Sequence, residues 1–363
     1  MNVYSAVFAL LTITLLFSCS RPAAPVKQEI NPPYNRLLFA GDVMFSREVR
    51  RDLLASHDPA MPFRKIAPIL RAADISFINL ETPFSDQGPY YEHGLIFHAA
   101  PQFIAGLELA HVALASTANN HARDCGPHGV MFTVNWLRAH GIQPVGSSES
   151  AEQTHKGVVL VRKGIRFGFL GYTYDQSNGN WRDVDDRIAL TDEAAMRRDV
   201  QALRKGCDVV IVSMHNGIEY MPRPNAKQIS FAHAAINAGA TLVVGHHPHV
   251  TEPTECYRGG EIFYSLGNFV FDQYQRVETQ HGEMAEVSFL GTRIFGTKIL
   301  PVRITPSGPE LEANATGADA RHQTGEEFLR PSGGGLDTAT VLRGFPKDEP
   351  PAREKPRISR IAR

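Results

Sequence analysis

Residues 241–249 read TLVVGHHPH, an apolar run that leads without a break into three histidines within four positions. Imidazole is the commonest metal-binding side chain, and histidine clusters of this density are typical of metal sites. Packing alone does not account for three imidazoles directly after a buried run. The segment therefore predicts a strand that ends in metal ligands, with His246, His247 and His249 as the candidates.

The same order, an apolar run followed by polar residues, recurs at four earlier places in the chain. They are 37–44 (LLFAGDVM), 75–81 (ISFINLE), 112–121 (VALASTANNH) and 209–217 (VVIVSMHNG). Ligands of open α/β sheets bind beyond the carboxyl ends of the strands, so these turns are expected to meet at one rim. Oxygen and imidazole ligands without thiolate suit borderline divalent metals. The turns add the following candidates: Asp42, Glu81, Asn120, His121 and His215.

Each of these turns also has an ordinary structural explanation when it is taken alone. Asp42 lies in a Gly-Asp turn, and Glu81 is compatible with a surface cap. The pair Asn119–Asn120 is a common turn former. His215 follows a buried run and is compatible with a hydrogen-bonded core histidine. The metal interpretation depends on all of them meeting at one predicted rim.

Polar residues near the same rim are candidates for contact with a substrate. A sixth apolar run, 262–265, leads to Asn268, which is placed to orient substrate or to support a ligand, although Gly-Asn is also a common turn. Asn79 and Glu219 lie in the turns that supply Glu81 and His215. We predict substrate contacts for Asn79, Glu219 and Asn268.

The chain alternates apolar runs with amphipathic segments between residues 34 and 305, which predicts a layered α/β fold. Helices are predicted over 129–140, 191–205 and 226–238, from apolar spacing and from glycines that follow them. A β-hairpin is predicted over 158–170, and antiparallel strands are predicted after Asp272.

The overall composition excludes some classes of protein. The 363 residues are 43% hydrophobic and 21% charged, and the formal net charge is −1. These values are ordinary for a globular protein. Since the chain has no basic excess, nothing in its composition indicates binding to nucleic acid.

The two ends of the chain differ from the part between them. Residues 7–17 form a short uncharged apolar run that leads to Ser18-Cys19, which predicts a signal peptide of the lipoprotein type over 1–19, with Cys19 lipidated and the exported protein held at the membrane. An ordinary cleaved signal and an uncleaved anchor are the alternatives. Residues 20–33 are a predicted linker. Residues 318–363 are rich in Gly, Pro and charge and are predicted to be disordered.

Six stretches, in this order, resemble the CapA (or PgsA) family of capsule-synthesis and poly-γ-glutamate-associated proteins. That family is similar to the calcineurin-like metallophosphoesterases. The stretches are FAGDVMFSR (39–47), FINLETPFS (77–85), ANNHARDCG (118–126), SMHNGIEY (213–220), VVGHHPHV (243–250) and YSLGNFVFD (264–272). The resemblance implies a four-layer αββα sandwich with a site for two divalent metal ions, such as Mn, Zn or Fe.

The resemblance also implies a role for each residue of the site. Asp42, Asn120 and His215 match metal ligands, Glu81 stands at the place of the bridging carboxylate, and His247 and His249 match the final ligand pair, for which His246 is a substitute. His121 stands near the leaving group, and Asp124 is placed to orient it. Met44 stands where ordinary phosphoesterases have a histidine ligand.

Three functions are consistent with this resemblance. The first is an exported, membrane-tethered protein that acts on an anionic polymer such as poly-γ-glutamate, within a capsule-synthesis complex. The second is a metal-dependent phosphoesterase that hydrolyses a phosphomonoester or phosphodiester. The third is a non-enzymatic scaffold that its metal ions stabilise. Fold-level analogy does not choose among them.

Overall fold

The structure is a computed structural model, and it describes residues 32–90, 93–175 and 184–312. The predicted signal peptide, most of the predicted linker and the predicted disordered tail lie outside these residues. Within them the strands are β1 Tyr34–Val43, β2 Ile75–Leu80, β3 Leu114–Ser116, β4 Gln143–Val145, β5 Val158–Arg162, β6 Ile165–Thr173, β7 Val209–His215, β8 Leu242–His246, β9 Thr251–Tyr257, β10 Gly260–Leu266, β11 Asn268–Val270, β12 His281–Leu290, β13 Arg293–Thr305 and β14 Gly308–Leu311.

Helices connect many of these strands. They are α1 Arg47–Ser56, α2 Ala67–Arg71, α3 Ile104–Leu109, α4 Gly126–Ala139, α5 Ala151–Lys156, α6 Glu193–Arg204 and α7 Ala226–Ala238. Short 3₁₀ helices occupy Met61–Phe63, Pro101–Phe103 and Glu278–Gln280. No helix within the described ranges combines the length and the apolar character that crossing a membrane requires.

The strands form two mixed sheets. The first has the order β14-β13-β12-β1-β2-β3-β4, with β11 paired to β1, and the second has the order β5-β6-β7-β8-β10-β9. Strands β1 to β4 run parallel to one another, as do β6, β7, β8 and β10. The carboxyl ends of these two parallel groups carry most of the turns that the sequence analysis identified.

Three apolar layers show that the sheets pack face to face between helices. Phe39 and Phe77 of the first sheet share one buried cluster with Phe169 and Ile211 of the second. The opposite face of the first sheet packs against α1 to α4, and that of the second packs against α6 and α7. Because side chains alternate along a strand, each sheet buries both faces. The predicted α/β fold and its four-layer αββα arrangement are therefore confirmed.

The helix predicted over 226–238 is confirmed as α7. Its N-cap Asn225 accepts hydrogen bonds from the backbone of Lys227 and Gln228, and the Gln228 side chain accepts one from the backbone of Asn225. This capping box satisfies backbone donors that a helix start leaves open. Gly239 ends the helix with a φ of 117°.

Two other predicted helices differ from the structure at their starts. Helix α4 begins at Gly126 rather than at residue 129, because Pro127 fits the first helical turn. Helix α6 begins at Glu193 rather than at residue 191, since the Asp192 side chain caps it by accepting a hydrogen bond from Ala195 N. The hairpin predicted over 158–170 is confirmed as β5 and β6, paired antiparallel.

Glu252 in β9 should make the stability of the protein depend on pH. Burial, offset in part by a hydrogen bond from Gln228, raises the pKa of Glu252 from its ordinary 4.5 to about 8. The stability that the protonated Glu252 contributes is fully present below pH 4.5, and it is lost as the pH rises through 8. Unfolding by urea, with a chelator present, should show a stability decrease on the order of 5 kcal/mol across this window in the wild type.

The variant Glu252→Gln should lose that part of the pH dependence, whereas Glu152→Gln on the exposed face of α5 should retain it. An equal pH dependence in the wild type and in Glu252→Gln would contradict this assignment.

Candidate metal centre

The parallel strands bring the predicted ligands to one buried rim. Asp42 pairs in register with Asn79 of β2 and with Asn268 of β11, and His215 pairs with His246 at the ends of β7 and β8. All five of these side chains are buried. Residues far apart in sequence therefore meet because neighbouring parallel strands end at the same edge.

Two glycines allow the strands to approach closely at this rim. A Cβ on Gly41 would lie 2.0 Å from the carbonyl oxygen of Gly267, and a Cβ on Gly245 would lie 1.9 Å from that of Tyr264. No other residue fits such a gap without a backbone shift. The glycines precede Asp42 and His246 and so set the position of both side chains.

Glu81 lies between two groups of candidate ligands. One group consists of Glu81, His215 and His247, and the other of Asp42, Glu81 and His249, each with ligand atoms within 4.8 Å of one another. Glu81 Oε1 lies 3.7 Å from His215 Nε2 and 3.8 Å from His249 Nε2. A carboxylate shared by two such groups has the arrangement of a bridging ligand.

The Glu81 carboxylate is buried without hydrogen bonds. Its side chain is 0% exposed, and neither oxygen has a hydrogen-bond partner in the described part of the chain. A buried carboxylate in that state is strongly destabilising unless a cation compensates it. Because a bound cation would compensate this carboxylate, the residues of the cluster fit a metal site.

Asp42, in the second of these groups, is held by hydrogen bonds from outside that group. Its Oδ1 accepts a hydrogen bond from Asn79 Nδ2 at 2.8 Å, and its Oδ2 accepts one from His247 N at 3.3 Å. The Nδ1 atoms of His246 and His249 each lie 3.5 Å from an Asp42 oxygen. His246 is thus close to Asp42 but outside both ligand groups.

His215 and Asn120 meet in the first group. His215 Nε2 and Asn120 Oδ1 are 2.7 Å apart, so the amide oxygen points at the same place as the imidazole. The amide nitrogen of Asn79 lies 3.2 Å from His215 Nδ1. Asn120 is therefore placed to act as a metal ligand beside His215, as the family resemblance implies.

The last two histidines of the final motif, His247 and His249, have strained backbones. His247 has a φ of 102° and His249 a φ of 58°, both in the region that L residues rarely adopt. Each such residue costs about 1–3 kcal/mol, and strain of this kind persists at functional sites. The turn through Pro248 aims one imidazole at each ligand group.

Burial and the neighbouring charges shift the pKa values of the cluster in opposite directions. Burial by itself would raise the pKa of Asp42, but the imidazoles of His246 and His249 hold it well below its usual value. Burial and the charge of Asp42 raise the pKa of Glu81 well above its usual value. Burial lowers the pKa of His247 to about 3, and it lowers that of His215 as well, so both imidazoles are neutral ligands near pH 7.

His121 and Asp124 form a pair next to this cluster. His121 Nδ1 lies 2.7 Å from Asp124 Oδ2, and His121 Nε2 lies 3.9 Å from Glu81 Oε1. The Asp124 carboxylate also accepts a hydrogen bond from Phe97 N. The Phe97 ring stacks on the His121 ring with centroids 3.8 Å apart. The imidazole is thus oriented from both sides, with one nitrogen toward the cluster.

The residues predicted to contact substrate have different places. Asn79 and Asn268 are fully buried, and the Asn268 Oδ1 lies 3.0 Å from His249 Nδ1. Both therefore orient ligand side chains, instead of facing a cavity. Glu219 does line a cavity of about 300 Å³ that opens over His121 and His249. Met44, at the position of a ligand in ordinary phosphoesterases, is buried and accepts a hydrogen bond from Ser46 N through its sulfur.

The sequence analysis missed several residues of this cavity. Arg47, Phe97, Phe271 and Asp272 line it together with the histidines. Arg47 and Asp272 end two of the six quoted stretches, and this position in the motifs could have indicated that they belong to the site. Phe97 lies in a loop with no motif of its own, so only its position in the fold reveals it.

Comparison of the sequence with known families gives a decisive match. The sequence model of the family described as "Bacterial capsule synthesis protein PGA_cap" matches residues 36–273. This chain belongs to the PGA_cap family. The match covers every residue of the cluster and of the cavity named above, and it confirms the resemblance found from the six stretches.

Two relatives from Bacillus species illustrate the similarity. The "PGA biosynthesis protein CapA" of Bacillus subtilis is 33% identical over 239 residues, which are 65% of this chain and 63% of the relative. The present chain thus matches less than two thirds of that protein's length. The "Capsule biosynthesis protein CapA" of Bacillus anthracis is 30% identical over 302 residues, covering 80% of this chain and 72% of the relative.

One solved structure that this chain partly resembles is a phosphatase from Mycoplasma pneumoniae. It superposes with a TM-score of 0.47 and 11% identity, over 78% of this chain and 96% of its own. A similarity at this level adds nothing to the fold that the two sheets of this PGA_cap protein establish.

Replacing Glu81 by glutamine should abolish binding of divalent metal, because it removes the carboxylate that both ligand groups share. In metal-free protein at pH 8 the same change should raise the free energy of unfolding. The sign follows from the raised pKa, since ionisation of the buried carboxyl opposes folding above its ordinary range. Elemental analysis after dialysis against Mn²⁺, and denaturation in chelator, measure the two effects.

The matched control is Glu252→Gln, which removes another buried carboxyl that lies outside the cluster. It should leave the metal content unchanged. Stoichiometric metal in Glu81→Gln would rule out the shared-ligand arrangement.

Proposed function

We propose that this protein acts in the synthesis or export of a capsule polymer of the poly-γ-glutamate type, at the cell envelope, through a centre of two divalent cations built around Glu81. Membership of the PGA_cap family supports a role with this polymer, as do the names of the two Bacillus relatives. The proposal of a metal centre rests on one observation, the buried Glu81 carboxylate without hydrogen bonds.

Two cations suit the ligand arrangement better than one. The two groups share only Glu81. Each group also has one further side chain next to it: Asn120 lies beside His215, and His246 lies beside Asp42. Carboxylates, an amide oxygen and imidazoles together favour Mn, Zn or Fe. When bound, a pair of such ions polarises an oxygen of the reacting group and lowers the pKa of water.

The protein's own residues would orient the reaction and move a proton. Asp42 carries negative charge in the cluster, Glu81 would gain it when a cation displaces its proton, and the buried rim excludes bulk water around them. Asp124 holds the imidazole of His121 so that Nε2 faces the centre. From there His121 can give a proton to a leaving group at the mouth of the cavity.

Hydrolysis of a phosphate ester is the second candidate function. The observation that favours it is the His121–Asp124 pair at 2.7 Å beside the ligand groups, an arrangement suited to protonating an alkoxide leaving group. The two candidates use the same centre and differ in the molecule that enters the cavity.

The envelope location is part of the same proposal. The apolar run 7–17 and Cys19 support export and lipidation, and 20–33 would serve as the tether that separates the folded domain from the membrane. A single acyl chain binds a membrane only marginally, so more than one chain at Cys19 is required for stable anchoring.

Loss of the metal centre should stop polymer production. In a strain whose own copy of the gene is deleted, the wild-type protein and Glu252→Gln should restore polymer at the cell surface, while Glu81→Gln and His215→Ala should reduce it at least tenfold at equal protein levels. Surface polymer is measured by its glutamate content after hydrolysis. Normal polymer with Glu81→Gln would contradict a role for the centre in this function.

The purified, Mn²⁺-loaded protein decides between the two candidates. Metal-dependent hydrolysis of an aryl phosphate that falls by a factor of about 100 in His121→Ala would favour the phosphoesterase. The control is His128→Ala, whose imidazole lies on the surface against Asp86. No turnover in any variant would leave the polymer function as the one supported.

Changing Cys19 to serine should release the protein from the membrane. Without a thiol at this position no lipid can be attached, so the protein should move from the membrane pellet to the soluble fraction of the envelope. Fractionation with immunodetection and labelling with a fatty-acid analogue measure this. Ser18→Ala is the matched control and should stay in the pellet. Membrane retention of Cys19→Ser would contradict lipid anchoring.

A further inference from the structure

One pair of charged side chains in the cavity lies outside both candidate ligand groups. Arg47 and Asp272 end the stretches 39–47 and 264–272, and they meet across 225 positions of sequence. Arg47 Nε donates to Asp272 Oδ2 at 3.1 Å, and Arg47 Nη2 donates to Asp272 Oδ1. Both residues line the cavity that opens over His121 and His249.

The backbone holds Arg47 in place at a conformational cost. Its φ is 50°, in the left-handed region that costs a residue with a Cβ about 1–2 kcal/mol. The same Asp272 carboxylate accepts a hydrogen bond from Glu48 N at 3.0 Å, at the start of α1. Asp272 thus fixes both the helix start and the guanidinium, and it helps to hold the strained backbone of Arg47.

Part of the guanidinium remains available for a ligand. Its Nε and Nη2 side faces Asp272, and Nη1 has one long contact with Gly94 O at 3.4 Å. Within 32–90, 93–175 and 184–312, no other acceptor contacts these nitrogens. A guanidinium has five N–H donors in a planar fork, so the Nη1–Nη2 edge can still bind an oxyanion. The side chain is 15% exposed.

Aromatic rings connect this guanidinium to the metal centre. Its central carbon lies 4.8 Å from the centroid of Phe97 and 5.5 Å from that of Phe271. The Phe97 ring stacks on His121, and the Phe271 ring contacts that of His249 with centroids 4.7 Å apart. Arg47 is therefore one ring away from each of these histidines, close enough for one ligand to reach both Arg47 and the centre.

We propose that Arg47 recognises an anionic group, a carboxylate or a phosphate, on the molecule that the metal centre binds. This inference rests on the proposed function, because it assigns the recognised group to a ligand of that centre. Asp272 and the two phenylalanine rings hold the fork before the ligand arrives, so little side-chain entropy is lost on binding. Since Asp272 offsets the charge of Arg47, recognition depends on the two-pronged hydrogen bonding rather than on net charge.

The test measures metal and anion binding on the same protein. The full chain is first loaded with Mn²⁺ and its metal content is determined. Calorimetric titration then gives the affinity for two probes, inorganic phosphate and a linear trimer of γ-linked glutamate. In Arg47→Lys, whose ammonium pairs with Asp272 but lacks the fork, affinity for the recognised probe should fall at least tenfold while the Mn²⁺ content stays unchanged.

A second variant protects the test against misfolding. Arg47→Gln combined with Asp272→Asn removes both charges, so that no buried carboxylate is left unpaired, and it should lose affinity to a similar extent. The matched control is Arg51→Ala, an exposed arginine of the same helix, which should bind both probes as the wild type does.

Each outcome bears on the inference. Loss of affinity for phosphate alone, or for the glutamate trimer alone, supports it and identifies which anion is recognised. Unchanged affinity in Arg47→Lys, equal loss in Arg51→Ala, loss of Mn²⁺ along with the anion, or a metal-loaded wild type that binds neither probe would overturn it. A wild type without bound metal would instead refute the proposed function itself.

Discussion

The arrangement of this site depends on a carboxylate that the fold buries and leaves without hydrogen bonds. Glu81 is fully buried at the end of β2, and both its oxygens lack hydrogen-bond partners among the described residues. A carboxyl group that is buried without hydrogen bonds opposes folding once it is ionised. Three histidines face Glu81 Oε1 at 3.7–3.9 Å, and bound cations would turn this local instability into a strong site.

The fold supports that site through close packing of backbone and rings. Gly41 and Gly245 let the strands approach to distances that any side chain would prevent. Phe97 and Phe271 cover His121 and His249 from the cavity side, and both rings contact the guanidinium of Arg47. Ligand geometry and cavity shape are therefore linked, because the same aromatic rings contact both.

Family membership and site geometry answer different questions about this protein. The match to the PGA_cap family over residues 36–273 points to a capsule polymer, but it does not by itself say what the centre does there. The geometry supports the proposed proton transfer, because Asp124 Oδ2 lies 2.7 Å from His121 Nδ1 and orients its imidazole. A polymer rich in carboxylates would be compatible with both.

Much of the site was predictable from sequence because its signals are local. An apolar run followed by Gly-Asp, Asn-His or His-His-Pro-His lies within ten residues, and the alternation of strands and helices places such turns at one rim. Asp42, Glu81, His215 and His249 meet as that reasoning expects. What decided their exact partners was the tertiary structure. The sheet order places β1 between β2 and β12, and residues 225 positions apart, such as Arg47 and Asp272, pair only after both sheets have formed. The buried positions of Asn79 and Asn268 likewise follow from strand register, which no local pattern in the sequence specifies.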